Sequence, residues 1–205
     1  MTTKAEEFQK LNRLILKSLE GLRIQMGASN VVLGHGPINA KIMMIGEAPG
    51  ENEDIENMPF VGRAGDLLDK LLIEGQLLSR NRCYLTNLVK CRPVGEPRGN
   101  YKNRPPSKEE IAICKPFLWK EMKLLNPNAI ITLGKVPTQL LLDGHNENFK
   151  KKKPMDELVG TAFDVPYLRA KIIPAWNPSF LLRGNAYYIN KTVSAFRLAS
   201  IWTHT

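Results

Sequence analysis

Apolar residues at the start of the chain are spaced three or four positions apart, which is the spacing of one face of an α-helix. This spacing predicts a helix over residues 2–25, with Thr3 and Glu6 forming a capping box at its start and Gly27 ending it. The predicted core-facing positions of this helix are Phe8, Leu11, Ile15, Leu19 and Leu22.

Short apolar runs flanked by Gly, Pro and Asn follow, and they alternate with further segments of helical spacing. Such runs are typical of strands that are buried on both faces. Because strands and helices alternate, the chain is predicted to form an α/β sandwich around a parallel sheet. The predicted strands cover residues 41–45, 83–87, 128–133 and 171–175, and the predicted helices cover residues 63–75, 107–125, 136–142 and 187–202.

The ends of the predicted strands indicate where a ligand would bind. In open parallel sheets, ligands bind beyond the carboxyl ends of the strands. The segments at those ends are residues 46–50, Asn87, Gly134 and residues 176–179. We therefore expect these segments to meet and to form a functional site.

Length and composition restrict the class of protein. A chain of 205 residues predicts a single domain over residues 1–205, in which the N-terminal helix precedes a core over residues 31–205. No apolar run approaches the ~18–20 residues of a membrane span, and the N-terminus lacks the apolar segment of a secretory signal. The 3 cysteines are too few for a disulfide framework. We expect a cytoplasmic protein with no membrane association.

The charge balance indicates a class of partner. Lys and Arg number 29 and Asp and Glu number 20, which gives a net charge of +9. A basic surface displaces counterions from a polyanion such as DNA, although charge alone fits a generic basic protein equally well. Two segments are predicted as surface loops: residues 94–106, with Arg98, Lys102 and Arg104, and the lysine run over residues 150–154.

Five motifs between Val31 and Arg183 occur in an order that is informative. They are Gly46-Glu-Ala-Pro-Gly50 with Glu53-Asp54; Pro59-Phe-Val-Gly-Arg-Ala-Gly65 with Leu67-Leu-Asp69; Asn87-Leu-Val-Lys-Cys-Arg-Pro93 followed by Pro106, Glu109-Glu110 and Cys114; Asn126-Pro127 before Ile130-Ile-Thr-Leu-Gly134; and Ile173-Pro174 before Asn177-Pro-Ser-Phe-Leu-Leu-Arg183. With these motifs the chain resembles the uracil-DNA glycosylase superfamily, most closely its iron–sulfur (family 4) branch. The resemblance implies a three-layer α/β sandwich around a central four-stranded parallel sheet. It also implies an enzyme that flips a base out of DNA and hydrolyses its N-glycosidic bond.

The resemblance assigns the loop after the first strand to the base pocket. Glu47 would position water for the reaction, and a charge solvated at a loop tip is the alternative for this residue. Ala48 and Gly50 are small and would permit close approach of the backbone, while Pro49 would stiffen the turn.

Two further residues would bind the base. By resemblance, Phe60 stacks on the flipped base, whereas a ring packed in the core is the ordinary role of a phenylalanine. Asn87 would read the base, because its amide offers the donor and the acceptor that a pyrimidine edge requires. An asparagine that caps the strand end is the alternative.

A second set of residues would contact DNA. Leu181 or Leu182 would enter the gap that the flipped base leaves, and Arg183 would meet a phosphate. The alternative is an apolar pair packed inward at the start of a helix. The remaining predicted DNA contacts are Arg63, Lys90 and Ser179.

Asn177 departs from the family 4 pattern, which usually has histidine at this position. The asparagine amide keeps a donor that would bond to the departing base, but it cannot titrate. Asn-Pro-Ser occurs in the mismatch-specific branch of the superfamily, which accepts bulkier pyrimidines. The departure therefore predicts either a weakened or lost uracil activity or a changed substrate.

The cysteines are a second departure. The family 4 iron–sulfur cluster requires four thiolates, and only Cys91 and Cys114 match ligand positions, since residues 16–23 contain no cysteine. The histidines have no metal-ligand spacing, and a partial cluster that uses His35 is the alternative to an absent cluster. We predict that no cluster or other cofactor binds and that the N-terminal helix packs in the cluster's place.

These observations predict a monofunctional and monomeric DNA glycosylase. Its catalytic residues would be Glu47, Asn87 and Asn177, its substrate uracil or a modified pyrimidine in DNA, and its product an abasic site. A catalytically weak or silent DNA-binding accessory protein of replication or repair is the alternative, and it would explain Asn177 and the missing cysteines.

Overall fold

The computed structural model describes residues 2–77, 79–95, 102–142 and 153–203, and its elements alternate as the sequence predicts. In chain order they are α1 (Lys4–Met26), β1 (Ile42–Gly46), α2 (Glu51–Glu56), α3 (Gly62–Glu74), β2 (Cys83–Asn87), α4 (Lys108–Leu125), β3 (Ala129–Leu133), α5 (Lys135–Leu142), α6 (Met155–Leu158), β4 (Lys171–Ala175), α7 (Pro178–Leu181) and α8 (Ile189–Ser200).

Helix α1 has the predicted caps. Thr3 Oγ1 accepts the Glu6 amide at 3.2 Å, and the Glu6 carboxylate accepts the Thr3 amide at 2.8 Å. Gly27 ends the helix with a φ of +69°, in the left-handed region that favours glycine. All of the predicted core-facing residues of α1 are buried.

The strands form a four-stranded sheet in the order β2-β1-β3-β4, with every neighbouring pair parallel. Met43 and Ile45 of β1 face an apolar cluster that includes residues of α1 and α4. Ile42 and Met44 face the opposite cluster, which includes residues of α3 and α8. Because successive strand residues point to opposite faces, both faces of the sheet are covered. The predicted three-layer sandwich is confirmed.

The differences from the prediction are confined to short elements. Helices α2, α6 and α7 contain 6, 4 and 4 residues, too few to show a helical period in the sequence. The predicted closing helix consists of α8 with a 3₁₀ turn on each side. Helix α2 is anchored by Asp54, whose buried carboxylate accepts the amides of Ser29 and Asn30.

The predicted surface loops are only partly described. Val94 pairs with Asn103, so residues 94–106 begin and end close together, but Arg98 lies outside the described residues. Arg104 forms an ion pair with Glu110 of α4. Residues 150–152 of the lysine run also lie outside the described part of the chain. Of the described helices, none has the length and apolar character needed to cross a membrane.

Candidate active site

A cleft of about 640 Å³ lies beyond the carboxyl ends of β1, β2 and β4. Topology creates it, because the loops that leave parallel strands emerge at one edge of the sheet. The structure brings together there most of the residues that the sequence nominates. These are Glu47, Ala48, Pro49, Gly50, Phe60, Arg63, Asn87, Asn177, Ser179, Leu182 and Arg183.

Glu47 directly follows β1 and is half-buried in the wall of the cleft. Its backbone is held to the end of β2, since the Val89 amide donates to the Glu47 carbonyl at 3.0 Å. Burial raises the pKa of the Glu47 carboxyl, and the positive charge of Arg183 opposes that increase in pKa. Glu47 is thus a carboxylate held in a partly desolvated position at the edge of the sheet.

Gly46, the last residue of β1, allows Phe60 and Asn87 to come close together. A Cβ on Gly46 would lie 2.2 Å from Asn87 Oδ1 and 2.8 Å from Phe60 Cζ, so any side chain there would displace both. Both residues are nearly buried, with exposed fractions of 5% for Phe60 and 4% for Asn87. Within the described residues no hydrogen bond engages the Asn87 amide, which leaves its donor and acceptor for a ligand.

Asn177 follows β4 and caps helix α7. Its Oδ1 accepts the backbone amide of Ser179 at 2.9 Å and the Ser179 hydroxyl at 2.8 Å. These bonds fix which way the amide points and turn Nδ2 away from Ser179, to 3.4 Å from the Leu133 carbonyl. At that distance the bond to Leu133 is weak, so Nδ2 can donate to a ligand in the cleft.

Leu182 and Arg183 form the outer rim of the cleft. Leu182 is 40% exposed, and Arg183 is exposed beside it. Leu181 is only 3% exposed and packs in the cluster shared with α3 and α8. The prediction that Leu181 contacts DNA is therefore wrong, because the turn of α7 directs Leu181 into the core and Leu182 outward.

The prediction that Lys90 contacts DNA is also wrong. Its ammonium is fully buried and lies 2.6 Å from the carboxylate of Glu121, which is equally buried. The ammonium also donates to the Thr86 hydroxyl. A cation buried on this scale needs a counterion, and Lys90 therefore has an internal structural role.

A comparison with known families identifies the chain. The model of the uracil DNA glycosylase superfamily matches residues 33–198, which include all five sequence motifs up to Arg183. The chain belongs to the uracil-DNA glycosylase superfamily. The motif-based prediction of this superfamily is confirmed.

Similarity to individual members of the uracil-DNA glycosylase superfamily supports the family 4 branch. A Type-4 uracil-DNA glycosylase of Thermotoga maritima is 35% identical over 190 residues, covering 92% of this chain and 90% of the relative. One from Saccharolobus solfataricus is 40% identical over 159 residues, covering 75% and 67%. A Type-5 uracil-DNA glycosylase of Pyrobaculum aerophilum is 31% identical over 121 residues, covering 52% and 50%.

The iron–sulfur cluster of family 4 does not fit the cysteines of this superfamily member. Cys91 and Cys114 are fully buried in the same apolar cluster as α1, while Cys83 lies in the cluster on the opposite face of the sheet. Burial raises the pKa of the Cys91 thiol to about 12 and also raises that of Cys114. These two cysteines supply at most two of the four thiolates that the cluster requires. Among the described residues, no three His, Cys, Asp or Glu side chains form a metal-binding group. The absence of a cofactor stays a prediction.

Sequence reasoning missed one wall of the cleft. Residues 103–106, at the end of the predicted surface loop, line it together with Glu53. Asn103 is held by Arg92, whose Nε donates to Asn103 Oδ1 at 2.6 Å. The signal that could have indicated this wall is the pair of prolines, Pro93 and Pro106, that flanks the loop within the superfamily motifs.

Proposed function

We propose that this protein is a DNA glycosylase that removes uracil from DNA and leaves an abasic site. The observation that carries the proposal is that Glu47, Phe60, Asn87 and Asn177 line one cleft at the carboxyl edge of the sheet. The names of the Type-4 relatives support uracil as the base. The cleft volume of about 640 Å³ suits a whole flipped nucleotide.

Base recognition is assigned to Phe60 and Asn87. The Phe60 ring offers a face on which a flipped pyrimidine can stack, and the Asn87 amide can accept from the uracil N3–H while donating to a carbonyl oxygen. With the amide in this orientation, cytosine would place its N3 acceptor against the Asn87 Oδ1 acceptor and its 4-amino donor against the Nδ2 donor. Recognition of uracil over cytosine would therefore come from Asn87.

Bond cleavage is assigned to Glu47 and Asn177. The bond between the sugar C1′ and the base N1 breaks, and its electron pair leaves with the base as a uracil anion. The oxygen of a water held by Glu47 then bonds to C1′, and one proton of that water passes to the Glu47 carboxylate and on to solvent or base. Asn177 Nδ2 donates to the carbonyl oxygen where the anionic charge develops.

DNA binding is assigned to the rim. Leu182 is the exposed apolar side chain that would fill the gap in the duplex, and Arg183 and Arg63 would meet phosphates. The net charge of +9 supplies the long-range attraction to DNA. All of these groups come from one chain, which supports action as a monomer.

We further propose that the enzyme acts without an iron–sulfur cluster. Two buried thiols are the only cysteines at ligand positions, and four thiolates are needed. The protein purified anaerobically should contain no stoichiometric iron or acid-labile sulfide and should show no absorbance near 400 nm. A brown protein with about four irons per chain would refute this proposal.

Base release from defined DNA tests the proposed function. The protein is incubated with oligonucleotides that contain uracil, 5-hydroxymethyluracil or only normal bases, and abasic sites are then cleaved with alkali. Breaks in uracil DNA are expected, and Asn87→Ala should abolish them while undamaged DNA still binds. Breaks only in the modified DNA would make Asn177 a determinant of altered specificity. No breaks in any DNA, with binding intact, would overturn the proposal in favour of a silent DNA-binding protein.

A further inference from the structure

Phe60 has an unusual backbone conformation. Its φ is +57°, in the left-handed region that bulky side chains rarely adopt. The other non-glycine residues with positive φ in the described part of the chain are Asn57, Gln76 and Asn126, which are polar and lie at helix ends. A strained conformation persists only where the surrounding structure holds it in place.

Arg80 is the side chain that holds the Phe60 backbone. Its Nη1 donates to the Phe60 carbonyl at 2.8 Å, and its Nη2 donates to the Gly65 carbonyl at 3.0 Å. Asp69 accepts from the other edge of the same guanidinium, at 2.6 Å from Nε and 2.7 Å from Nη2. The planar fork of arginine is therefore satisfied on both edges, which a lysine could not reproduce.

Gly65 completes the arrangement. A Cβ on Gly65 would lie 2.0 Å from the Phe60 carbonyl oxygen, so only glycine lets α3 approach this peptide group. Arg80 begins the 3₁₀ turn that leads into β2, and β2 ends at Asn87. The guanidinium thus connects the peptide of Phe60 to the strand that carries the base-reading amide.

We propose that Arg80 is a positioning residue for the glycosylase reaction. It holds the Phe60 ring beside Asn87, so that a flipped base stacks on the ring while its edge bonds to the Asn87 amide. This inference rests on the proposed function. Arg80 does not line the active-site cleft and would act on the base only through Phe60. Arg80 lies outside the five sequence motifs, which therefore predict no role for it.

A double-mutant cycle tests the inference. Single-turnover release of uracil is measured for the wild type, Arg80→Ala, Phe60→Ala and the double variant, with affinity for undamaged DNA of the same sequence measured in parallel. Arg80→Ala should slow release about tenfold, within the range expected for loss of one base–aromatic stack. In the Phe60→Ala background the same change should have less than about a twofold effect, because coupled residues are not additive. Affinity for undamaged DNA should not change.

Two variants serve as controls. Arg82→Ala changes an exposed arginine on the same 3₁₀ turn and should release uracil at the wild-type rate. Arg80→Lys keeps the charge without the fork and should fall between wild type and Arg80→Ala. Arg80→Lys also tests the inference if Arg80→Ala does not fold. A wild-type rate for Arg80→Lys would show that the guanidinium is not required and would overturn the inference.

The outcomes separate this inference from the proposed function. If Arg80→Ala slows release equally in both backgrounds, Arg80 does not act through Phe60 and the inference is wrong. A wild-type rate in Arg80→Ala would also overturn it. If the wild-type protein releases no base, the proposed function fails first, and the failure does not depend on Arg80.

Discussion

The ammonium of Lys90 lies 2.6 Å from the carboxylate of Glu121, and neither side chain is exposed to solvent. Lys90 also donates to Thr86, the residue before Asn87. Thr86 and Lys90 lie on the two sides of the turn that contains Asn87. The ion pair therefore anchors this turn to Glu121 of helix α4. Because α4 packs on α1, this buried ion pair connects the turn after β2 to the N-terminal layer of the fold.

Removal of Lys90 should destabilise the protein without weakening its contact with DNA. Lys90→Ala leaves the Glu121 charge buried and unpaired, which we expect to lower the free energy of unfolding by about 3–5 kcal/mol. Urea unfolding measures this effect, and Lys70→Ala, at an exposed lysine of α3, should change it by less than about 0.5 kcal/mol. If Lys90→Ala left stability unchanged and weakened DNA binding, Lys90 would contact DNA and the structural role would be wrong.

Substitution of Leu181 should affect stability, whereas substitution of Leu182 should affect base flipping. Leu181→Ala opens a cavity in the core, so we expect a loss of about 2–5 kcal/mol in unfolding free energy. Leu182→Ala should leave stability nearly unchanged and should slow uracil release from duplex DNA more than from single-stranded DNA, because only a duplex has a gap to fill. Equal effects of Leu182→Ala on both substrates would contradict its role as a wedge.

The protonation state of the Glu47 carboxyl should affect both the free energy of unfolding and the rate of base release. Burial raises the pKa of Glu47 in the folded protein, so its stabilising contribution is complete below the ordinary value of 4.5 and is lost as the pH rises through the higher folded pKa. Glu47→Gln should therefore be more stable than the wild type at pH 7, and the difference should disappear below about pH 4. A variant less stable at pH 7 would contradict the burial argument.

Single-turnover rates should depend on the same carboxyl. Catalysis by the carboxylate predicts an acidic limb in the pH–rate profile at a pH above the ordinary pKa of glutamate, and Glu47→Gln should lose that limb together with most of the rate. Arg183→Ala removes the charge that opposes the rise in the Glu47 pKa, so the limb should move to higher pH. A limb that stays in place would show that Arg183 acts on DNA alone.

Asn177 caps α7, and we propose that it also donates to the base; matched variants can distinguish these two roles. Asn177→Asp keeps an oxygen that can accept from Ser179 and cap α7, but it removes the Nδ2 donor. We expect a loss of about 10²–10³-fold in the rate of uracil release with little change in thermal stability. Asn177→Ala should lose the rate and also about 1 kcal/mol of stability, since the cap is gone. A wild-type rate in Asn177→Asp would exclude Nδ2 as the donor.

The sequence predicted the architecture because each layer has a local signal. The spacing of Phe8 to Leu22 is helical, the strands are continuous apolar runs, and Ser107 caps α4 one residue before it begins, as Thr3 caps α1. The carboxyl-end segments were predicted to meet because parallel strands require it. The sequence did not predict the helices of 4 to 6 residues, because they are shorter than two helical turns and show no helical period.

The sequence by itself determined the alternation of elements, the superfamily motifs and the residue types available for chemistry. Only the tertiary structure decided which of these side chains reach the cleft. Lys90 shares a motif with Asn87, and Leu181 shares one with Leu182, yet Lys90 and Leu181 are buried. The direction of each side chain depends on its packing against α4 or α8 and not on its position in a motif. Arg80 stands outside the motifs, and the fold alone brings its guanidinium to the Phe60 carbonyl, 20 residues earlier in the chain.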